Sequence, residues 1–183
     1  MTDTAKIRAQ LWDGLMARAL EAYRALAATE KEWIAGRLAR IAQLQRELDT
    51  LFRAGNGLAA CHNCGGDCCA KGHNHMTLAN LLAFLQDGEL PPVADFSLTC
   101  PFLGPQGCRL AVERRPYNCV TFICDEIEIA LCPDQRRRFY SLDSELRQLY
   151  LEFSARYPAA AMTGLLIREQ RSPGAPLLQS STE

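Results

Sequence analysis

Between residues 4 and 53 apolar side chains return every three or four positions. Ile7, Leu11, Leu15, Ala19, Tyr23 and Leu26 form one stripe, and Leu38, Ile41, Leu44, Leu48 and Leu51 form a second, each with the period of an amphipathic helix. Between them Thr29-Glu30-Lys31-Glu32 reads as a capping box, the Thr29 hydroxyl taking the Glu32 amide while the Glu32 carboxylate reaches back. The pattern predicts two helices in an antiparallel hairpin. A single long helix is the alternative, because no Gly or Pro enforces the break, and Gly55-Asn56-Gly57 ends it in either case.

The periodicity then lapses. Residues 58–76 read as a loop carrying CHNCGGDCCAKGHNH. Thr77 is placed to cap a short helix through Leu78, Leu81, Leu82 and Leu85, stopped at Gly88. Residues 89–132 hold Pro91, Pro92, Pro101, Pro105 and Pro116 and predict only short elements. After Cys132-Pro133, Phe139, Leu142, Leu146, Leu149 and Phe153 share one face of a helix running to about Arg156. Residues 159–168 add a short helix, and the closing SPGAPLLQSSTE reads as frayed or disordered. The expected fold is mainly α: a helical hairpin and a C-terminal helix packed around an irregular, cysteine-rich metal-binding core. Its segments are an arm (1–57), the cysteine core (58–133), a helical segment (134–168) and a disordered tail (169–183).

Composition changes this picture in one respect. A chain of 183 residues, 48% hydrophobic, buries enough surface to fold without covalent staples, yet it carries nine cysteines. All of them fall between residues 61 and 132. The opening MTDTAKIRAQLWDGLM lacks the apolar run and cleavage site of a secretory signal, and no stretch reaches the length of a membrane span. The expected compartment is therefore the cytoplasm, where clustered thiols bind metals or do redox chemistry more often than they pair as disulfides. Residues 54–132 hold four basic against eight acidic side chains, which argues against nucleic acid as a partner.

The first cluster is C-x2-C-x3-C-C, formed by Cys61, Cys64, Cys68 and Cys69. A two-residue spacing followed by Gly65 and Gly66 can bring two sulfurs to one metal, because the amides of such a turn point inward at the thiolates. Adjacent cysteines point opposite ways in an extended chain, so Cys68 and Cys69 suggest two centres sharing a loop, or one centre with a spare thiol. Cys100, Cys108, Cys119, Cys124 and Cys132 are spaced too widely for a chelating turn and must be gathered by the fold. Nine thiols can supply two four-thiolate sites with one left over, for zinc or for an iron–sulfur cluster. His62, His73 and His75 are additional candidates that would give mixed nitrogen and sulfur coordination.

CHNCGGDCC, followed by TCPFLGPQGCRL, ERRPYNCVTF and a Cys-Pro, resembles the CxxCxxxCC family of zinc- or iron-chelating proteins, the YkgJ-like cysteine-cluster proteins. The resemblance covers roughly residues 58–133. It implies that Cys61, Cys64, Cys68, Cys69, Cys100, Cys108, Cys119 and Cys132 bind metal, and it leaves Cys124 as the odd cysteine. The family's Arg-Pro pair falls on Arg115-Pro116, whereas the basic residue that usually follows the seventh cysteine is Val120 here. An Arg at 114 or 115 can donate to sulfur or to nearby carbonyls around a negatively charged cluster.

The resemblance implies metal binding without a settled reaction, and of the two cofactors the iron–sulfur cluster is favoured over Zn2+. One alternative is a redox or methyl-transfer enzyme using an iron–sulfur cluster, since flagellin lysine methylation is attached to relatives of the family. Against it, no glycine-rich nucleotide loop is present, and C-x2-C-x3-C reverses the C-x3-C-x2-C of radical chemistry on the same methyl donor. The other alternative is a zinc-stabilised protein-interaction module, in which the arm packs on residues 134–156, on a second copy in a homodimer, or on an unknown protein or redox partner. No Ser/His/Asp arrangement, P-loop or paired-carboxylate motif assigns a nucleophile or a general base.

Overall fold

The computed structural model describes residues 2–64, 72, 75–105, 107–157 and 162–179. Among these the chain forms eight α-helices, a two-stranded hairpin and a 3-10 turn. The mainly helical class holds. No helix among the described residues is long and apolar enough to cross a membrane.

Helix α1 (Asp3–Ala25) starts at Thr2, whose hydroxyl accepts the Ala5 amide at 3.3 Å, and α2 spans Ala28–Ala54. The break falls at Leu26-Ala27, both extended, so Thr29 already lies inside the first turn and the expected capping box does not form. In its place the Lys31 ammonium donates to the Arg24 carbonyl across the bend at 3.0 Å. The expected hairpin is also replaced. Helix α2 lies against α7 (Pro133–Arg156), while α1 packs on α8 (Leu165–Arg171) and α4 (Leu78–Leu85). The physical reason lies in the partners: Phe139, Leu142, Leu146, Tyr150 and Phe153 offer α2 an apolar face richer in aromatic rings than α1 does.

The α2–α7 seam buries Ile34, Leu38, Ile41, Leu44 and Leu48 against that face. Ion pairs flank it in antiparallel order: Glu30 with Arg156, Arg37 with Glu152, Arg40 with Glu145 and Glu47 with Arg138. Trp33 meets the Phe153 ring edge-on at 5.1 Å and is stacked by the guanidinium groups of Arg37 and Arg156. On α1 the buried face is Ala5, Trp12, Leu15 and Ala19, whereas Ile7, placed on the stripe by periodicity, is 56% exposed. Trp12 leads that face to Phe96 and Phe102.

Residues 78–85 form the innermost helix, with seven of its eight residues buried. Around it a short helix takes up residues expected as loop, and residues 89–132 form short elements as expected. Helix α3 (Gly57–Asn63) follows α2 through left-handed Asn56; the strands β1 (Leu103–Gly104) and β2 (Gly107–Cys108) pair antiparallel; α5 spans Tyr117–Thr121 and α6 Asp125–Ala130. One continuous apolar core draws on the arm, the cysteine region and the C-terminal segment alike. The tail also joins it. Leu177 and Leu178 are buried, and Glu169 pairs with Arg18 through both carboxylate oxygens while accepting the Gly174 amide, so residues 169–179 pack where disorder was expected.

Candidate metal centre

The site is built from short segments that the core holds in place. Cys119 lies on α5, just after Arg115-Pro116, and this entry is fixed from below. The Arg115 carbonyl accepts two buried amides, Gln45 Nε2 from α2 at 2.6 Å and Asn80 Nδ2 from α4 at 3.0 Å. The other Asn80 bonds run elsewhere: Nδ2 also donates to the Tyr150 hydroxyl at 2.8 Å, and Oδ1 accepts the Thr77 amide at 3.2 Å and the Thr77 hydroxyl at 2.7 Å. Two donors and two acceptor positions are the whole capacity of a carboxamide, and all four are used. Asn80 therefore ties the segment entering Cys119 to the segment leaving His75.

That tie brings two candidate ligands together. His75 Nδ1 lies 3.4 Å from Cys119 Sγ, although the residues are 44 apart in sequence. His75 is half-buried and Cys119 exposed, and the His75 amide donates to the Gly72 carbonyl at 3.1 Å. On the other side of this turn Cys100 approaches Gly72 so closely that a Cβ there would lie 2.6 Å from its sulfur. Burial pushes the Cys100 thiol up; amides of Phe102 and Leu103 oppose this, and Cys108 adds to it, which puts the two thiols within electrostatic reach. Cys108 is the β2 residue opposite Leu103, so the hairpin turns the chain back past Cys100.

The remaining described cysteines sit at helix ends. Cys61 is half-buried on α3, and Cys64 closes that helix with its sulfur 3.6 Å from the Cys61 carbonyl. Cys124 and Cys132 occupy the N-cap positions of α6 and α7, and the Cys132 amide donates to Gln135 Oε1 at 3.0 Å. α6 is packed on the α2–α3 junction, where Ile127 and Leu131 meet Gly55. Cys68, Cys69 and His73 lie outside the described residues, and His62 is exposed on α3. Among the described residues no group of three or more His, Cys, Asp or Glu side chains is gathered as a metal would need. The soft donors fit zinc or iron–sulfur chemistry in kind, and His75 with Cys119 and Cys100 with Cys108 are brought near one another.

The two arginines make different contacts. Arg114 gives its terminal nitrogens to Asp87 and Glu89 and stacks on Phe84, which makes it a clamp at the end of α4. Arg115 donates through Nε to the Leu110 carbonyl at 3.2 Å, a carbonyl contact of the expected kind, and lies 3.9 Å from Asp49. Val120, at the position where the family pattern has a basic residue, is 8% exposed and belongs to the apolar core.

Tyr117 and Tyr150 complete the floor, edge to face at 5.5 Å. Burial raises the Tyr117 hydroxyl to about 12, helped by the hydrogen bond it donates to Asp143 at 2.5 Å. Burial likewise raises Tyr150, with Asn80 opposing and Cys119 adding to the shift. Sequence reasoning passed over Gln45, Asn80 and Tyr150. The available signal was a single carboxamide inside an otherwise apolar LANLLAFL and another inside the second stripe.

Comparison with family models, curated proteins and solved structures gives no match for the chain.

Proposed function

We propose that this chain is a metal-binding protein whose clustered cysteines hold one or two centres, iron–sulfur or zinc, with Cys61, Cys64, Cys68, Cys69, Cys100, Cys108, Cys119 and Cys132 as the thiol donors. The observation that carries the reading is the meeting of two soft donors, Cys119 Sγ and His75 Nδ1, with the Cys100 thiol packed on Gly72, whose carbonyl takes the His75 amide. Thiols that merely filled a core would not be exposed beside an imidazole, and Cys108, Cys119 and Cys132 are exposed. The resemblance of residues 58–133 to the CxxCxxxCC family adds the same expectation from the motif side. A bound centre would supply either electron transfer or a rigid cross-link between the short segments that carry the cysteines.

Anaerobic purification followed by iron, zinc and sulfide analysis tests this. The expected result is at least one equivalent of iron or zinc per chain, reduced in a Cys119→Ser variant and retained in Cys124→Ser. A brown protein with a paramagnetic resonance signal after reduction selects iron, and a colourless one with stoichiometric zinc selects zinc. Protein that takes up neither metal, as isolated or after anaerobic reconstitution, overturns the proposal.

A further inference from the structure

We infer that His75 and Cys119 bind the same metal ion through Nδ1 and Sγ, so that one centre of this protein has mixed imidazole and thiolate coordination. The inference rests on the metal-binding reading above and deepens it. It begins with a distance. Bonds of roughly 2.0–2.1 Å to nitrogen and roughly 2.3 Å to sulfur at a tetrahedral angle place the two donors about 3.6 Å apart. His75 Nδ1 and Cys119 Sγ are 3.4 Å apart.

A hydrogen bond between imidazole and sulfur has a similar length, so the surroundings must decide. Both donors are held from the backbone inward. His75 stands between Gly72, whose carbonyl takes its amide, and Met76, whose carbonyl takes the Leu165 amide at 2.7 Å. Cys119 stands between buried Pro116, whose carbonyl takes its amide at 2.9 Å, and buried Val120. The two segments are joined by the fully used carboxamide of Asn80, which accepts from Thr77 and donates to Arg115. A surface hydrogen bond worth about 1 kcal/mol gains little from such a frame, because both partners could equally bond water. A metal gains much, since ligands already in place lose no freedom on binding.

The chemical consequence is specific. Imidazole is neutral where thiolate is anionic, so exchanging one for the other lowers the negative charge of the centre and, with iron, raises its potential. It also gives Cys119, in a region rich in acidic side chains, one fewer anionic neighbour on the ion.

X-ray absorption at the iron or zinc edge of the loaded, full-length protein tests the inference without reference to any activity. The native spectrum is expected to require a first-shell nitrogen with the outer-shell scattering of an imidazole ring. In His75→Cys the imidazole pattern is expected to disappear while the metal content is kept. In His75→Ala the affinity against a competing chelator is expected to fall at least the ~10-fold that even an outer-shell partner commands. A native spectrum fitted by sulfur alone, or an imidazole pattern that survives in His75→Cys, overturns this inference and leaves the metal-binding proposal standing. A chain that binds neither metal overturns both. Should His75→Cys fail to fold, His75→Ala decides in its place: His62 and His73 remain in that variant, so loss of the imidazole pattern supports the inference and its persistence overturns it.

Discussion

Replacing Asn80 by alanine removes four hydrogen bonds from a fully enclosed position, since Asn80 is 3% exposed and its partners Thr77 and Tyr150 are 2% and 0% exposed. The Arg115 carbonyl keeps its bond from Gln45, and the Thr77 hydroxyl can turn to another acceptor. The Thr77 amide and the Tyr150 oxygen lose partners that water cannot replace at that depth. Leaving these two buried polar groups unsatisfied costs roughly 1–3 kcal/mol each, about 2–6 kcal/mol together. Against the roughly 5–15 kcal/mol that holds such a domain together, this is a large fraction. Urea titration followed by circular dichroism measures it: with a slope of about 3 kcal/mol/M, the midpoint should fall by about 0.7–2 M with the slope unchanged. Asn80→Asp should be no better at neutral pH, because a carboxylate keeps the acceptor side but turns a negative charge on the Arg115 carbonyl. A midpoint within about 0.3 M of the native value for Asn80→Ala would refute the claim that this carboxamide ties the two segments.

The other expectations can be checked on the same preparation. Glu30 is held at about 2, below its ordinary 4.5, by hydrogen bonds from Arg156 and then Tyr157; the stability it contributes is complete above pH 4.5 and is lost as pH falls towards 2. Glu30→Gln should therefore flatten stability against pH across that window, and an unchanged slope counts against the pairing. Gly72→Ala sets a Cβ 2.6 Å from the Cys100 sulfur and 2.7 Å from its Cβ, so it should displace Cys100, cost about 1–3 kcal/mol of stability and lower the metal content; a variant matching the native protein in both would refute the close approach. Val120→Arg, which restores the basic residue of the family pattern, should destabilise by about 2 kcal/mol or more because the site is buried, and unaltered thermal unfolding would show that the position opens to solvent.

The reach of the sequence differs between elements in an instructive way. The stripe of α2 and that of α7 were legible because burial against one broad partner face repeats with the helical period, and most of the residues named from periodicity are in the seam. The stripe of α1 was less so. Trp12 outranks Leu11 and Ile7 stays in solvent, because the partners of α1 are two shorter helices and the Phe96 and Phe102 rings, which no period along α1 can encode. The tail failed for a related reason: SPGAPLL has the composition of a loose end, yet Leu177 and Leu178 are buried and Glu169 meets Arg18 from a helix 151 residues away.

For the candidate site, residue type and spacing alone determined which side chains have the chemistry, since thiols and imidazoles are soft donors wherever they stand. The roles of Arg114 and Val120 were not contained there: Arg114 lies within reach of Asp87 and Glu89, and Val120 points into the core, facts about neighbours distant in sequence. Nor could any spacing pair His75 with Cys119. That pairing follows from how Asn80 and Gln45 hold the Arg115 carbonyl, because hydrogen bonds between separate helices fix a distance that 44 intervening residues leave free.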